Sequence, residues 1–208
     1  MKFPKGSEKY QKVQADLHYY ANPAIINRIS KYLEPLRPSV ILELGCGLGR
    51  MSVALKNHFG WDRTKFYLYD GDSEQDLKTD PWKGNNDTLV PGSFHNSLKL
   101  TKEFCLLNGI KANQLTLINA EKELLCNLDV KFDLICSFLA IGCHWPIKPF
   151  LDDTYRLLRP GGLAIFETPH GTKERHIRHT QRQIDSVDTD KFRILEADKP
   201  LIVIKKKG

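Results

Sequence analysis

Cysteine is sparse and unpatterned in this 208-residue chain: Cys46, Cys105, Cys126, Cys136 and Cys143 are odd in number and include no C-x-x-C pair. That excludes a disulfide framework and a zinc knuckle, and points to small apolar residues in a reducing compartment. No run of about 18 apolar residues occurs, so no membrane helix is expected. The N-terminus, MKFPKGSEKYQKVQ, lacks the apolar core and small-residue cleavage site of a signal peptide, and a cytoplasmic location is expected. The histidines and acids show no local ligand spacing such as H-x-x-x-H, so no metal is expected. His176 and His179 fall on a polar stretch and read as solvent-facing. Internal repeats, low-complexity tracts and linkers are also missing.

What is present is the composition of an ordinary globular protein, 41% hydrophobic and 27% charged, on a length that suits one core. A single domain over 1–208 is expected. The net charge is +6, with 31 basic residues against 25 acidic, but the basic residues cluster only at Lys205 to Lys207 and within KERHIRHTQR. These read as solvated faces and a tail before they read as a nucleic-acid footprint.

Strand-like runs at Ser39 to Leu44, Lys65 to Tyr69, Leu115 to Ile118, Lys131 to Phe138 and Gly162 to Glu167 alternate with helical spacing. The helical stretches are MSVALKNHF, Phe94 to Leu107, a turn through AEKELL, Pro149 to Leu158 and Lys173 to Ile184. Gln11 to Leu36 supplies one or two helices before the first strand, interrupted at Pro23. In RLLRPGGLAIFE, Pro160 stops a helix and Gly161-Gly162 turns into the next strand. Phe192 to Leu195 and Leu201 to Ile204 are separated by too short a segment for a crossover helix, so they form an antiparallel hairpin. The pattern is α/β, a mostly parallel sheet covered on both faces.

The stretch VILELGCGLGR carries glycines at 45, 47 and 49 directly after the first strand. In an open parallel sheet this turn faces the ligand crevice, where bare backbone permits close approach. A dinucleotide fingerprint, G-x-G-x-x-G, would need glycine where Arg50 stands, and Glu43 would repel a pyrophosphate. The dinucleotide reading fails.

Glu43-x-Gly45-x-Gly47-x-Gly49 resembles motif I of the class I S-adenosylmethionine-dependent methyltransferases, and the resemblance extends over almost the whole chain. It implies a three-layer Rossmann-like fold with strand order 3-2-1-4-5-7-6, the last strand antiparallel. It also implies S-adenosyl-L-methionine as cofactor, held by Glu43, Gly45, Cys46, Gly47 and Gly49 at its methionine and ribose portions. Asp70, with Gly71, ends the second strand where the family places an acid for both ribose hydroxyls; Asp72 is the alternative. Asn119 and Ala120 stand near the expected adenine position, with Glu121 equally open, and Ser137 closes the fourth strand.

Past that strand, SFLAIGCHWPIKPFLDD is where an acceptor would face the cofactor. His144 is a candidate base, as is His170 in ETPHGT, and Trp145 a candidate substrate contact. Asp152 and Asp153 open a helix, where acids are favourable without any catalytic role. The S/N-P-P-Y/F motif of nucleobase amino methyltransferases is absent, and the His-aromatic-Pro segment resembles sugar O-methyltransferases. A small-molecule hydroxyl acceptor is therefore expected, and the protein itself is expected to be a monomer or homodimer. Residues 71–92 form a long polar connection containing Trp82; with Tyr10, His18, Tyr19 and Tyr20 it is either a lid or a surface insertion. RNA or protein methylation through the basic stretch Lys173 to Arg182, and a non-catalytic cofactor-binding module, remain alternatives.

Overall fold

The computed structural model describes residues 1–4, 22–72, 97–169, 173–198 and 200–208. In chain order these form α1 (Asn22–Leu36), β1 (Val40–Leu44), α2 (Arg50–Phe59), β2 (Lys65–Asp70), α3 (Leu98–Leu107), β3 (Leu115–Asn119), β4 (Phe132–Ser137), α4 (Leu151–Leu157), β5 (Leu158–Glu167), α5 (Glu174–Asp185), β6 (Phe192–Asp198) and β7 (Leu201–Lys206). One seven-stranded sheet results, in the order β3-β2-β1-β4-β5-β7-β6. β1 to β5 pair in parallel, and β7 runs antiparallel to both β5 and β6.

Strand side chains alternate between two cores, which is why the apolar runs are continuous. Ile41, Leu134, Cys136, Leu163, Ile165, Leu201 and Val203 pack on one face against α1, α2 and α3. Their neighbours Leu42, Leu44, Ile135, Ala164, Phe166, Ile202 and Ile204 pack on the other, against Leu151 and Leu157 of α4. On α1, Ile25, Ile29 and Leu33 recur every fourth residue and are buried in the first core. α1 is also tied to the far sheet edge: Arg28 and Lys31 pair with Glu196 of β6, and the Tyr32 hydroxyl donates to the same carboxylate at 2.8 Å. Four of the cysteines are buried and Cys126 is exposed. No described helix is long and apolar enough to cross a membrane.

Pro23 sits in the first turn of α1, where its missing N–H is not needed. The segment before Asn22 lies outside the described residues. AEKELL makes the expected single turn, the Asn119 carbonyl accepting the N–H of Lys122 at 3.0 Å and of Glu123 at 2.9 Å, and a short 3-10 turn follows at Leu125–Asn127. The helix before RPGG ends at Leu157, and Leu158 already pairs with Phe132 of β4. Pairing resumes only at Leu163 with Leu134, so Pro160, Gly161 and Gly162 form a bulge inside β5. A proline without a ladder donor fits such a bulge.

Candidate functional site

Parallel pairing sets the carboxyl ends of β1 to β5 along one edge of the sheet, where open α/β sheets form their ligand crevice. Gly45, Gly47 and Gly49 all take positive φ, at 64°, 53° and 72°. Gly45 is also packed tightly, since a Cβ there would lie 2.4 Å from the Ala140 Cβ. The loop is pinned to β2 by the Gly45 N–H donating to the Tyr69 carbonyl at 2.8 Å. Thr101 of α3 donates its hydroxyl to the Gly47 carbonyl, also at 2.8 Å. Cys46 is buried within the loop, and burial pushes its thiol well above the usual range, so it stays protonated.

Asp70 is the hub of the crevice. Its Oδ2 accepts from the Gly47 N–H at 2.6 Å and its Oδ1 from the Gly71 N–H at 2.8 Å, while its carbonyl receives the Ala120 N–H at 2.8 Å. The first three strand ends are thus locked through one residue. A carboxylate presents about four lone-pair positions, so the same two oxygens can hold the loop and receive a vicinal diol. Asp72 is engaged elsewhere: its Oδ1 accepts the Leu98 N–H at 2.8 Å, at the start of α3. Asn119 lies opposite Asp70 in register, with its Oδ1 accepting the Glu121 N–H at 2.8 Å.

Glu43 is buried in β1 and accepts from the Ser52 hydroxyl and from the Ser52 N–H, the latter at 3.1 Å. It therefore ties β1 to the first turn of α2. Burial pushes its carboxyl up from the usual 4.5 to about 7, opposed by the Ser52 hydrogen bonds and the charge of Arg50. Arg50 is itself buried; burial lowers its pKa, and the charges of Glu167 and Glu43 oppose that. No local sequence signal marks this buried group of two carboxylates and one guanidinium.

A pH test follows from Glu43. The folded state holds a proton that the unfolded chain loses near pH 4.5, so this group's contribution is fully present below that value and is lost as pH rises through about 7. The stability difference between Glu43→Gln and the wild type should shift in favour of the variant between these limits. Urea denaturation at both ends measures it, and a difference independent of pH would refute the assignment.

Ser137 closes β4 with its hydroxyl fully buried, donating to the Leu44 carbonyl and accepting from the Ile141 N–H, both at 2.8 Å. It positions the next segment. Leu139 has φ of 60°, rare for a branched side chain. Its left-handed backbone precedes Ala140, the residue that meets Gly45. The Ala140 carbonyl receives the N–H of His144 at 2.8 Å and of Trp145 at 3.3 Å, coiling 140–145 into a compact knuckle. His144 is half-buried on it and Trp145 is 46% exposed.

α5 straps this knuckle down. His179 Nε2 lies 2.8 Å from the Gly142 carbonyl, which can only accept, so this nitrogen carries the proton. Gln183 Oε1 accepts the Ile147 N–H at 2.9 Å. His176 and His179 are therefore not solvent-facing: His176 is buried and His179 half-buried, because α5 turns this polar face inward. Among the sequence candidates, the structure brings Glu43, the glycine loop, Asp70, Gly71, Asn119 and Ala120 to one crevice, with the His144–Trp145 knuckle beside it. Tyr19, Trp82 and His170 lie outside the described residues, as does most of 71–92. Among the described residues no group of three or more His, Cys, Asp or Glu is placed to hold a metal ion.

The sequence profile of a family described as "Methyltransferase domain" matches residues 13–191. No curated protein matches the chain. Solved structures share the fold. A Staphylococcus aureus protein proposed to be a caffeoyl-CoA O-methyltransferase superposes with TM-score 0.61 at 16% identity, covering 99% of this chain and 93% of that one. The O-methyltransferase TomG from Streptomyces achromogenes, in complex with SAM, gives 0.51 at 11% identity over 85% and 76% of the two chains. Human N-acetylserotonin methyltransferase, in complex with SAM, gives 0.55 at 12% identity over 95% and 54%.

Proposed function

The chain belongs to the methyltransferase-domain family, and from that premise we propose that it moves the methyl group of S-adenosylmethionine to a hydroxyl of a small molecule, sugars among the candidates. The observation that carries this reading is the glycine loop locked onto Asp70 at adjacent strand ends. The residues present fit the cofactor. Asp70 offers two oxygens to the ribose diol, and the loop between Gly45 and Gly49 leaves backbone for the methionine portion. Glu167 and the partly ionised Glu43 offset the buried Arg50, so the group carries no positive excess against an ammonium and a sulfonium.

Bound there, the cofactor supplies an electrophilic methyl on a sulfonium with a neutral thioether as leaving group. The chain's own residues orient and deprotonate. The 140–145 knuckle sets the acceptor side, and His144 on it takes the hydroxyl proton, imidazole being the side chain that exchanges protons near neutral pH. Orientation of the acceptor against the methyl supplies most of the remaining rate.

Methyl transfer from labelled S-adenosylmethionine to panels of hydroxyl and amine acceptors tests this. His144→Gln should lower kcat/KM by about a hundredfold and flatten the acidic limb of the pH profile, with cofactor affinity unchanged. An unchanged profile would remove His144 from the base role. Transfer to amines alone would overturn the hydroxyl assignment.

A further inference from the structure

The knuckle and α5 enclose more than the acceptor side of the crevice. Between them runs a cleft of about 640 Å³ lined by His144 and Lys148 on one side and by Arg175, Arg178 and Arg182 on the other. The three arginines recur at the spacing of one helix face, adjacent to the buried face of His176, Thr180 and Gln183. Among the described residues Glu174 is the one carboxylate on the lining, and it is paired with Arg178. Lys148 and Arg182 have no hydrogen-bond or ion-pair partner among the described residues.

Such an arrangement is unfavourable without an anion. Four exposed like charges line one cleft, and solvent or a ligand of opposite sign relieves their repulsion. The walls are also fixed in advance, since the His179 and Gln183 hydrogen bonds hold α5 against the 142–147 backbone. A backbone held in advance leaves only the side chains themselves to be ordered around a ligand. Four cations against one carboxylate among the described lining residues suit a dianion better than a monoanion, and guanidinium forks match phosphate oxygens in pairs. The charge is confined to one helix face and one short segment, which suits a compact anion better than a polynucleotide backbone.

We propose that this cleft binds the phosphate of a phosphorylated small molecule, which anchors the methyl acceptor beside His144. The anion site stands on its own geometry; its role for the acceptor rests on the methyl-transfer reading.

Calorimetric titration with pyrophosphate, malonate and a single-stranded oligoribonucleotide tests it, alongside S-adenosylmethionine on the same protein. Pyrophosphate should bind more tightly than malonate. Arg175→Gln and Arg182→Gln should each weaken it about tenfold, one charge-assisted contact apiece. Lys173→Gln, immediately before the same helix but off the cleft lining, should change nothing, and all three variants should keep wild-type affinity for S-adenosylmethionine. Absent pyrophosphate binding, or equal binding by the arginine variants, overturns the site while leaving the cofactor reading intact. Tighter malonate binding overturns the phosphate assignment. Oligonucleotide binding that exceeds pyrophosphate and falls steeply with salt makes the face a nucleic-acid surface and overturns the small-molecule assignment. Loss of S-adenosylmethionine binding with pyrophosphate binding retained would instead strike the methyl-transfer reading.

Discussion

Asp70→Ala should weaken S-adenosylmethionine binding by about a hundredfold or more while the protein stays folded. Two losses combine. The ribose diol loses a carboxylate that accepts from both hydroxyls, and charge-assisted bonds of this kind contribute about 1.5–3 kcal/mol each. The Gly47 N–H loses its 2.6 Å acceptor, so the glycine loop is no longer held against β2 from that side. Folding should survive because the backbone bonds from Gly45 to Tyr69 and from Ala120 to Asp70 do not involve the side chain. Asp70→Asn should fall between, since the amide keeps one acceptor oxygen but turns an NH2 toward a second donor. Asp72→Ala is the informative control: that carboxylate holds the Leu98 N–H, so its loss should loosen the start of α3 and spare affinity. Calorimetry on the three variants decides the matter. An Asp70→Ala protein within about threefold of wild type, with Asp72→Ala impaired, would reverse the assignment.

Much of this crevice was legible in the sequence because its parts are local. Strands of continuous apolar residues, each closed by a turn signal, are a property of short windows, and the antiparallel hairpin followed from the short gap before Leu201; the full sheet order came with the family resemblance. Asp70 was legible because it ends a strand where that resemblance places the ribose-binding acid. What could not be read depends on distant partners. Arg50 marked only a failed dinucleotide motif, because its burial is set by Glu43 on β1 and Glu167 on β5. α5 misled for a related reason: its buried face is His176, Thr180 and Gln183, while Ile177 is 51% exposed. Hydrogen bonds to the knuckle, not hydrophobicity, orient that helix, and periodicity of apolar residues carries no trace of them. The RPGG bulge likewise depends on where β4 takes up its register against β5. Leu139 shows the same limit, since its left-handed backbone is imposed by the packing of Ala140 under Gly45.

That contact yields the second large effect, and a pair of glycines isolates it. Gly45 and Gly60 have nearly the same backbone, φ 64° and 65°, but a Cβ at Gly60 would meet nothing within 4 Å whereas one at Gly45 would lie 2.4 Å from the Ala140 Cβ. Gly60→Ala should therefore cost only the left-handed strain, about 1–2 kcal/mol. Gly45→Ala should cost that and a steric term of about 1–3 kcal/mol more, because both atoms sit on backbone that cannot swing aside. It should also displace the loop that meets the cofactor, lowering affinity where Gly60→Ala leaves it unchanged. The steric share is recoverable. Ala140→Gly removes the clashing atom, and the next nearest, the Ala140 Cα, is at 3.8 Å, an ordinary contact. The double variant Gly45→Ala/Ala140→Gly, corrected for Ala140→Gly alone, should then match Gly60→Ala in urea denaturation, with a coupling equal to the steric term. If the double variant is as unstable as Gly45→Ala with no coupling, the two loops do not meet at this atom, and the glycine at 45 answers to backbone conformation alone.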